Sequence, residues 1–183
     1  MRVITGSARG RRLQTLEGRD VRPTTDQVKE AMFSIIQFEV EGAMVLDLFA
    51  GSGQLGIEAL SRAARFAVFV DQSRAAQEVI RQNLQTTGLA RQSRVVAMDS
   101  LAFLASTGDT FDIALLDPPY HQGILERALP LLAAHMSPGG IILCETARDE
   151  LLPEEAGDFR IKKEYRYGKI KLTAYRIPAG QEE

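Results

Sequence analysis

Short apolar runs alternate with helix-forming stretches between residues 44 and 145, and this alternation constrains the fold more than any other feature of the chain. The apolar runs are predicted as strands at Met44–Leu48, Phe66–Val70, Arg94–Ala97, Asp112–Leu116 and Ile141–Glu145. Helices are predicted between them at about Leu55–Ala64, Arg74–Thr86, Leu101–Ala105 and Gly123–His135. Val/Ile/Leu-rich strands that alternate with helices form parallel sheets covered on both faces, so the pattern predicts an α/β fold.

Both ends of the chain depart from this alternation. Residues 2–22 are rich in Arg and Gly and are predicted as an extended arm or hairpin. A helix should follow, because Thr24 and Gln27 have capping-box spacing before an amphipathic run. Near the other end, Phe159–Tyr167 and Ile170–Ile177 are predicted as an antiparallel hairpin. The sheet is therefore expected to have seven strands, mostly parallel, with an antiparallel pair at the end.

Length and composition limit the classes of protein that the chain can belong to. Its 183 residues, 45% hydrophobic and 25% charged, suit one globular domain over 1–183, with 1–40 as an N-terminal arm and helix. No apolar stretch approaches the ~18 residues that span a membrane, and the N-terminus lacks the apolar core of a signal peptide. We therefore expect a cytoplasmic protein without membrane contact, and a monomer.

The cysteine and histidine content argues against a disulfide or a structural metal. Cys144 is the only cysteine, and His121 and His135 are the only histidines. A single cysteine excludes an internal disulfide, and so few ligands make a His/Cys metal site unexpected. No metal is therefore predicted.

The net charge of −2 hides an uneven distribution. Residues 1–22 carry six basic and two acidic side chains, and residues 160–176 carry seven basic and one acidic. Two basic ends around an acidic middle indicate contact with a polyanion such as nucleic acid. The alternative is that these charges only solvate the surface.

A glycine-rich turn joins the first predicted strand to the helix that follows it. Gly51-x-Gly53-x-x-Gly56 fits the dinucleotide fingerprint, and Asp71 lies twenty residues beyond Gly51, where a ribose-binding acid belongs. The Asp71 carboxylate would bind the ribose hydroxyls of any adenosine cofactor. The motif alone therefore leaves both NAD and S-adenosylmethionine open.

Acidic residues at other strand ends favour S-adenosylmethionine. Asp47 ends the first strand, where an anion suits a cationic amine and sulfonium, directly or through water, and suits a pyrophosphate badly. Asp99 follows the third strand and is placed to accept from an adenine amino group, although it could instead cap the next helix. The chain also has no second domain to hold a hydride acceptor.

The tetrapeptide Asp117-Pro118-Pro119-Tyr120 follows the fourth strand, at the sheet edge where α/β proteins bind ligands. The prolines fix φ at two consecutive residues, and Pro119 holds Pro118 extended. The Asp117 carboxylate and the Pro118 carbonyl can then accept from one amino group while Tyr120 stacks on its ring. The plain alternative is a strand that ends in a proline-rich turn.

Five motifs together carry a resemblance over nearly the whole chain. They are Arg2-Val3-Ile4-x-Gly6-x-x-Arg9-Gly10-Arg11, Arg22-Pro23-Thr24-x-Asp26-x-Val28-x-Glu30-Ala31-Met32-Phe33, the loop and helix Asp47–Arg62, the tetrapeptide, and Ser137-Pro138-Gly139-Gly140. The sequence resembles the Rossmann-like S-adenosylmethionine-dependent methyltransferases. Within them it is similar to the bacterial 16S ribosomal RNA guanine-N2 methyltransferase family.

The resemblance implies methylation of the exocyclic N2 of a guanine in 16S ribosomal RNA, as naked RNA or in the small ribosomal subunit. The catalytic residues that it implies are Asp117, Pro118 and Tyr120. The implied cofactor residues are Asp47, Ala50, Gly51, Gly53, Asp71 and Asp99. Candidate RNA-binding residues on the two basic ends are Arg9, Arg11, Arg12, Arg22 and Lys169.

Three other functions remain open at this point. An adenine-N6 DNA methyltransferase would use the same tetrapeptide, but the chain has no room for a separate target-recognition domain. A non-catalytic RNA-binding assembly factor could keep the fold and the cofactor. A NAD-dependent enzyme is the third alternative.

Overall fold

A single mixed sheet forms the centre of the computed structural model, which describes residues 1–17 and 24–180. The strands are β1 (Met44–Asp47), β2 (Phe66–Val70), β3 (Ser93–Val96), β4 (Phe111–Leu116), β5 (Met136–Ala147), β6 (Glu155–Ala156), β7 (Phe159–Tyr167) and β8 (Ile170–Arg176). Their order across the sheet is β3-β2-β1-β4-β5-β8-β7-β6. Strands β1 to β5 are parallel, and β6 to β8 add an antiparallel edge. The predicted α/β class is confirmed.

The sheet has eight strands in the described residues rather than the expected seven. The additional strand, β6, is only two residues long and pairs with the start of β7. It lies inside the polar, acidic segment 148–158, where no alternating pattern signals a strand. Its extended conformation comes from pairing with β7 and from burial of Ala156.

Helices cover both faces of the sheet. They are α1 (Asp26–Ile35), α2 (Gln54–Ser61), α3 (Arg74–Thr87), α4 (Ser100–Ser106) and α5 (Ile124–Ala133), with a short 3₁₀ helix at Ala90–Gln92. Consecutive residues of the central strands point to opposite faces, as the pleat requires. Val45 packs in the core under α1, α2 and α3, while its neighbour Leu46 packs in the core under α4 and α5.

The start of α1 corrects the predicted cap. Thr25, not Thr24, is the N-cap, and its hydroxyl accepts from the Val28 N–H at 3.3 Å. Gln27 is exposed, so the Thr24/Gln27 capping box does not form. Either threonine can cap a helix, and the structure uses Thr25, one residue later than the capping-box spacing predicts. The Thr24 side chain is buried and takes part in the candidate site described below.

The motif Ser137-Pro138-Gly139-Gly140 forms the irregular start of β5, which begins before the predicted fifth strand. The register between β4 and β5 shifts between Phe111 and Ile113, which is a bulge. The Ser137 hydroxyl donates to Asp112 at 2.9 Å, and a Cβ atom on Gly140 would lie 2.7 Å from the Asp112 carbonyl oxygen. Gly140 therefore allows the two backbones to approach closely where the bulge forms.

Residues 1–13 form a hairpin, called the N-terminal hairpin below. The sequence predicts either an extended arm or a hairpin in this region. The Val3 N–H donates to the Arg11 carbonyl and the Leu13 N–H to the Met1 carbonyl, each at 2.9 Å. The hairpin packs against the end of α2. Gly6 has φ +96°, and a Cβ atom there would lie 1.8 Å from the Ser61 carbonyl oxygen, so only glycine fits.

Two buried charged residues anchor this hairpin. Both carboxylate oxygens of Glu58 accept from the Ile4 N–H, at 3.0 and 3.1 Å, and Arg62 donates to the same carboxylate at 3.2 Å. The Lys29 ammonium donates to the Arg2 carbonyl at 2.8 Å. Desolvation lowers the pKa of Lys29, against the opposing effect of Glu58. The hairpin is thus held by charge-assisted hydrogen bonds to α1 and α2.

Cys144 lies at the centre of β5 and is completely buried. Its backbone partner across the parallel ladder is Leu116, the last residue of β4. Burial raises the pKa of the thiol well above its ordinary value. The side chain therefore acts as a small apolar group within the core.

Candidate active site

A cavity of about 730 Å³ opens at the carboxyl edge of the parallel strands. Its walls come from the loops that follow β1, β2, β3 and β4, from Glu145 near the end of β5, and from residues of the N-terminal segment and the β7–β8 turn. This is the edge where the strand order reverses direction between β1 and β4, and open α/β sheets bind ligands there. The site residues predicted from four separate stretches of sequence therefore surround one cavity or lie next to it.

The glycine turn and Asp71 line the cavity where β1 and β2 end. The Asp71 carboxylate accepts from the Gly51 N–H and the Ser73 N–H, each at 2.9 Å, and thereby ties the loop after β1 to the loop after β2. Ala50, Gly51 and Asp71 all line the cavity. Gly53 lies behind the turn with φ +81°, and a Cβ atom on it would lie 3.3 Å from Ile80.

Asp47 lies beneath the glycine turn and is only 1% exposed. One carboxylate oxygen accepts from the Gly56 N–H at 2.9 Å, which fixes the first turn of α2 against β1. Burial raises the pKa of Asp47 to about 7, with the Gly56 hydrogen bond opposing the rise and Asp71 adding to it. Asp47 does not line the cavity, and its hydrogen bond is to Gly56 in the first turn of α2. Its role toward a cofactor stays a prediction.

Asp99 caps α4 and also lines the cavity. One of its carboxylate oxygens accepts from the Leu101 and Ala102 N–H groups, each at 3.1 Å. The alternative that Asp99 caps the next helix is therefore confirmed. The residue is exposed at the cavity wall, and acceptance from an adenine amino group stays a prediction.

The tetrapeptide 117–120 lines the same cavity where β4 ends. Asp117, Pro118, Pro119 and Tyr120 all line it, with Pro118 buried and Asp117 partly exposed. The Thr24 hydroxyl lies 2.9 Å from one carboxylate oxygen of Asp117. The Tyr120 hydroxyl donates to Glu145 at 2.8 Å. The acid and the aromatic are therefore held by neighbouring side chains.

Sequence reasoning missed Thr24 and Glu145. The Thr24 hydroxyl also lies 3.2 Å from the second carboxylate oxygen of Glu145, so one hydroxyl bridges two acids. Glu145 could have been found, because it ends the predicted fifth strand at the edge where Asp47 and Asp117 end theirs. Nothing in the sequence marks Thr24 as a site residue, because its spacing to Gln27 predicts a helix capping box.

The candidate RNA-binding residues lie on two surface elements. Arg9, Arg11 and Arg12 are exposed on the N-terminal hairpin, whose first residue, Met1, lines the cavity. Lys169 is exposed in the β7–β8 turn, next to Ile170, which also lines the cavity. Arg22 lies outside the described residues.

Two further basic residues near the β7–β8 turn differ in accessibility. Arg148 is exposed and holds the turn, because its backbone N–H donates to the Lys169 carbonyl at 2.8 Å and its guanidinium to the Gly168 carbonyl at 3.1 Å. Lys171 is buried and donates to the Glu150 carbonyl. Arg148 is therefore available to a ligand at the surface, and Lys171 is not.

No metal cluster or membrane span occurs within the part of the chain that the structure describes. No three His, Cys, Asp or Glu side chains there come together as metal ligands. None of the helices there has the length and apolar character needed to cross a membrane.

Comparison with known proteins gives the family. The family model described as Conserved hypothetical protein 95 matches residues 1–176. Ribosomal RNA small subunit methyltransferase D of Escherichia coli (strain K12) is 34% identical, over 98% of this chain and 91% of that protein. The protein of the same name from Haemophilus influenzae is 36% identical, over 96% of this chain and 93% of that protein. The chain belongs to this family of ribosomal RNA methyltransferases.

A solved structure from the same family agrees with the fold. The structure of yhhF from Escherichia coli superposes with a TM-score of 0.84 at 34% identity, covering 98% of this chain and 99% of that one. The resemblance found in the sequence is thereby confirmed at the level of the family. Family and fold together support S-adenosylmethionine as the cofactor.

The residues of the cavity fit this cofactor. Asp71 presents a carboxylate beside the glycine turn, where ribose hydroxyls are bound in such folds. Among the described lining residues there are acids but no lysine or arginine. An acidic lining suits a cofactor that carries a sulfonium and an ammonium group, and it does not suit the pyrophosphate of NAD.

Proposed function

We propose that the protein transfers a methyl group from S-adenosylmethionine to the exocyclic N2 of a guanine in 16S ribosomal RNA of the small subunit. One observation carries the proposal: the glycine turn with Asp71, after β1 and β2, and the tetrapeptide with Asp117, after β4, line one cavity. A cofactor and a target base could meet there. The names of the relatives, small subunit ribosomal RNA methyltransferases, support RNA as the substrate.

The bound cofactor would supply an activated methyl group. The protein's part is to present the amine, whose lone pair is delocalised into the guanine ring. Asp117 and the Pro118 carbonyl would accept the two amino hydrogens and favour a more pyramidal nitrogen, and Tyr120 would stack on the ring. Asp117 need not be a strong base, because the proton can leave after transfer. Such positioning can lower a barrier by up to ~7–11 kcal/mol.

The acceptors in the cavity support guanine over adenine. The Watson–Crick edge of guanine presents N–H donors at both N1 and N2, whereas adenine places an acceptor at N1 beside its amino group. Asp117 and Glu145 both line the cavity and lie within hydrogen-bond distance of the same Thr24 hydroxyl. The Asp117 carboxylate, held in place through Thr24, would suit the adjacent donors of guanine and would leave adenine N1 facing an acceptor.

The basic surface elements would hold the RNA. Arg9, Arg11 and Arg12 on the hairpin, and Lys169 with Arg148 at the β7–β8 turn, would contact phosphates on either side of the cavity mouth. Phosphate contacts give affinity and register rather than base identity. The target base must be unpaired or flipped to enter the cavity, which single-stranded loops of RNA allow at low cost.

The test is methyl transfer from labelled S-adenosylmethionine to naked 16S ribosomal RNA, isolated small subunits and duplex DNA, followed by digestion and identification of the nucleoside. N2-methylguanosine from RNA or subunits is the expected product. Label only in DNA N6-methyladenine would overturn the proposal in favour of the DNA enzyme. Cofactor binding without label in any substrate would favour a non-catalytic binding protein.

A further inference from the structure

Glu145 contacts two other side chains of the candidate site, Tyr120 and Thr24. One carboxylate oxygen accepts from the Tyr120 hydroxyl at 2.8 Å, and the other lies 3.2 Å from the Thr24 hydroxyl. Thr24 in turn lies 2.9 Å from Asp117. Glu145 is 3% exposed, so these contacts are sheltered from solvent and stronger than they would be on the surface.

The two acids come from neighbouring strands of the rigid sheet. Leu116 pairs with Cys144 across the parallel β4–β5 ladder, so Asp117 and Glu145 are the next positions on adjacent strands. Two carboxylates side by side repel each other. The Thr24 hydroxyl lies between them, and its single proton can be donated to either one. The threonine therefore lowers the cost of placing the two acids together.

The bridging hydroxyl comes from a distant part of the chain. Thr24 immediately precedes the α1 N-cap and is 93 residues from Asp117 and 121 residues from Glu145. Helix α1 packs on the sheet through Val28 and Met32. Docking of α1 therefore delivers the hydroxyl that links the two acids.

We propose that Glu145 is a positioning residue for methyl transfer: it holds Tyr120 directly and Asp117 through Thr24. The inference rests on the proposed function only in that the target base enters beside Asp117 and Tyr120. It does not depend on which base enters. The predicted role is to fix the acid and the aromatic relative to each other, and not to bind the cofactor.

The decisive experiment is a double-mutant cycle of Thr24→Val and Tyr120→Phe. Each change removes one hydroxyl that contacts Glu145 and keeps the shape of the side chain. Single-turnover rates are measured at saturating S-adenosylmethionine, on whichever substrate the wild-type protein methylates. We expect each variant to be roughly 10-fold slower, and the double variant to be faster than the product of the two effects by at least about threefold. When the same cycle is made in Glu145→Ala protein, the rate effects of Thr24→Val and Tyr120→Phe should simply multiply.

Conservative variants and binding measurements separate positioning from a purely structural role. Thr24→Ser keeps the hydroxyl and should restore the rate, and Glu145→Gln should retain more activity than Glu145→Ala because its carbonyl still accepts from Tyr120. The Kd of S-adenosylmethionine should not change, since the glycine turn and Asp71 are untouched. Thr86→Val, on the exposed side of α3, is the matched control and should leave the rate unchanged.

Two outcomes would overturn the inference. Independent effects of Thr24→Val and Tyr120→Phe in the wild-type background would show that Glu145 does not link them. Coupling that persists in Glu145→Ala protein would show that another group does. The cycle repeated on urea unfolding requires no substrate, so it tests the link even where no methylation is detected. Identification of an adenine product would refute the proposed function and leave the cycle interpretable.

Discussion

The cavity lining has two parts that are built in different ways. The cofactor end, proposed to hold S-adenosylmethionine, lies where β1 and β2 end, and the target end, proposed to receive the base, lies where β4 and β5 end. At the cofactor end, the contacts join residues close in sequence: Asp47 to Gly56, nine residues apart, and Asp71 to Gly51, twenty apart. These side chains accept from backbone N–H groups. At the target end, Thr24 reaches Asp117 and Glu145 across 93 and 121 residues, through side chains alone. The cofactor end is thus set by a local turn, and the target end by the packing of α1 on the sheet.

This difference predicts that variants at the two ends will fail in different ways. The largest effect is expected from Asp117→Ala, which removes the carboxylate beside the proposed target amine. The single-turnover rate should fall by about 10²–10³-fold, because a preorganised polar group at the reacting atoms is lost. The Kd of S-adenosylmethionine, measured by calorimetry, should stay within about twofold of wild type. An unchanged rate would remove Asp117 from the mechanism.

Asp47 gives the cofactor end a pH dependence. Because the folded-state pKa is about 7 and the ordinary value is 3.8, the folded protein takes up this proton first as the pH falls. Asp47 therefore lowers stability at and above pH 7, and this cost disappears as the pH falls toward 4, at about 1.4 kcal/mol per unit of pKa difference.

Urea unfolding at several pH values checks this prediction. The unfolding free energy of Asp47→Asn minus that of wild type should increase from pH 4 to pH 7 and then level off. Asp158→Asn changes an exposed acid in a turn and is the matched control, for which no such increase with pH is expected. A constant difference in unfolding free energy between Asp47→Asn and wild type across this range would mean that folding does not raise the pKa of Asp47.

Docking of the N-terminal hairpin can be tested with two glycines that share a left-handed conformation. Gly6 has φ +96° and no space for a Cβ atom, whereas Gly10 has φ +82° and nothing within 4 Å of one. Gly6→Ala should cost about 3 kcal/mol of unfolding free energy, and Gly10→Ala about 1 kcal/mol from backbone strain alone. Equal costs in urea unfolding would contradict the tight packing against Ser61. RNA affinity should fall with Gly6→Ala while the Kd of S-adenosylmethionine is kept.

Asp71→Ala should produce the opposite kinetic pattern to Asp117→Ala. Loss of the carboxylate would remove the proposed ribose contact and the hydrogen bond from Gly51, so the Kd of S-adenosylmethionine should rise by roughly 10–100-fold. At saturating cofactor the transfer rate should recover most of the wild-type value. A rate that stays low at saturation would mean that the two ends are not separable. Asp149→Ala, an exposed acid outside the cavity, serves as the control.

The smallest effect is expected at the surface. Lys169→Ala and Arg148→Ala should each weaken RNA binding by a few fold and lower the slope of log affinity against log salt by about one. Arg91→Ala is the matched control, because Arg91 precedes β3 at the opposite edge of the sheet. Lys171→Ala should instead lower stability, since that side chain is buried. Full RNA affinity in both surface variants would move the RNA contact elsewhere.

The same contrast explains what the sequence could predict. The parallel strands, the terminal hairpin and the glycine turn are encoded by local periodicity and by Gly and Pro, and the prediction found them. Strand β6 and the bulged start of β5 depend on the neighbouring strand, and local pattern did not reveal them. The role of Thr24 depends on the docking of α1. Local sequence could identify its hydroxyl only as a candidate helix cap.

The single thiol of the chain, Cys144, lies in β5 one residue before Glu145 and can serve as a native probe of the candidate site. Cys144 is fully buried next to Glu145, in the core under α4 and α5, so a thiol reagent can reach it only when that face of the sheet is uncovered. Its labelling rate under native conditions therefore measures how often the core beneath this part of the site opens, at one defined position and without an introduced probe. Slower labelling in the presence of S-adenosylmethionine would reveal how strongly cofactor binding stabilises the strands that carry Asp117 and Glu145.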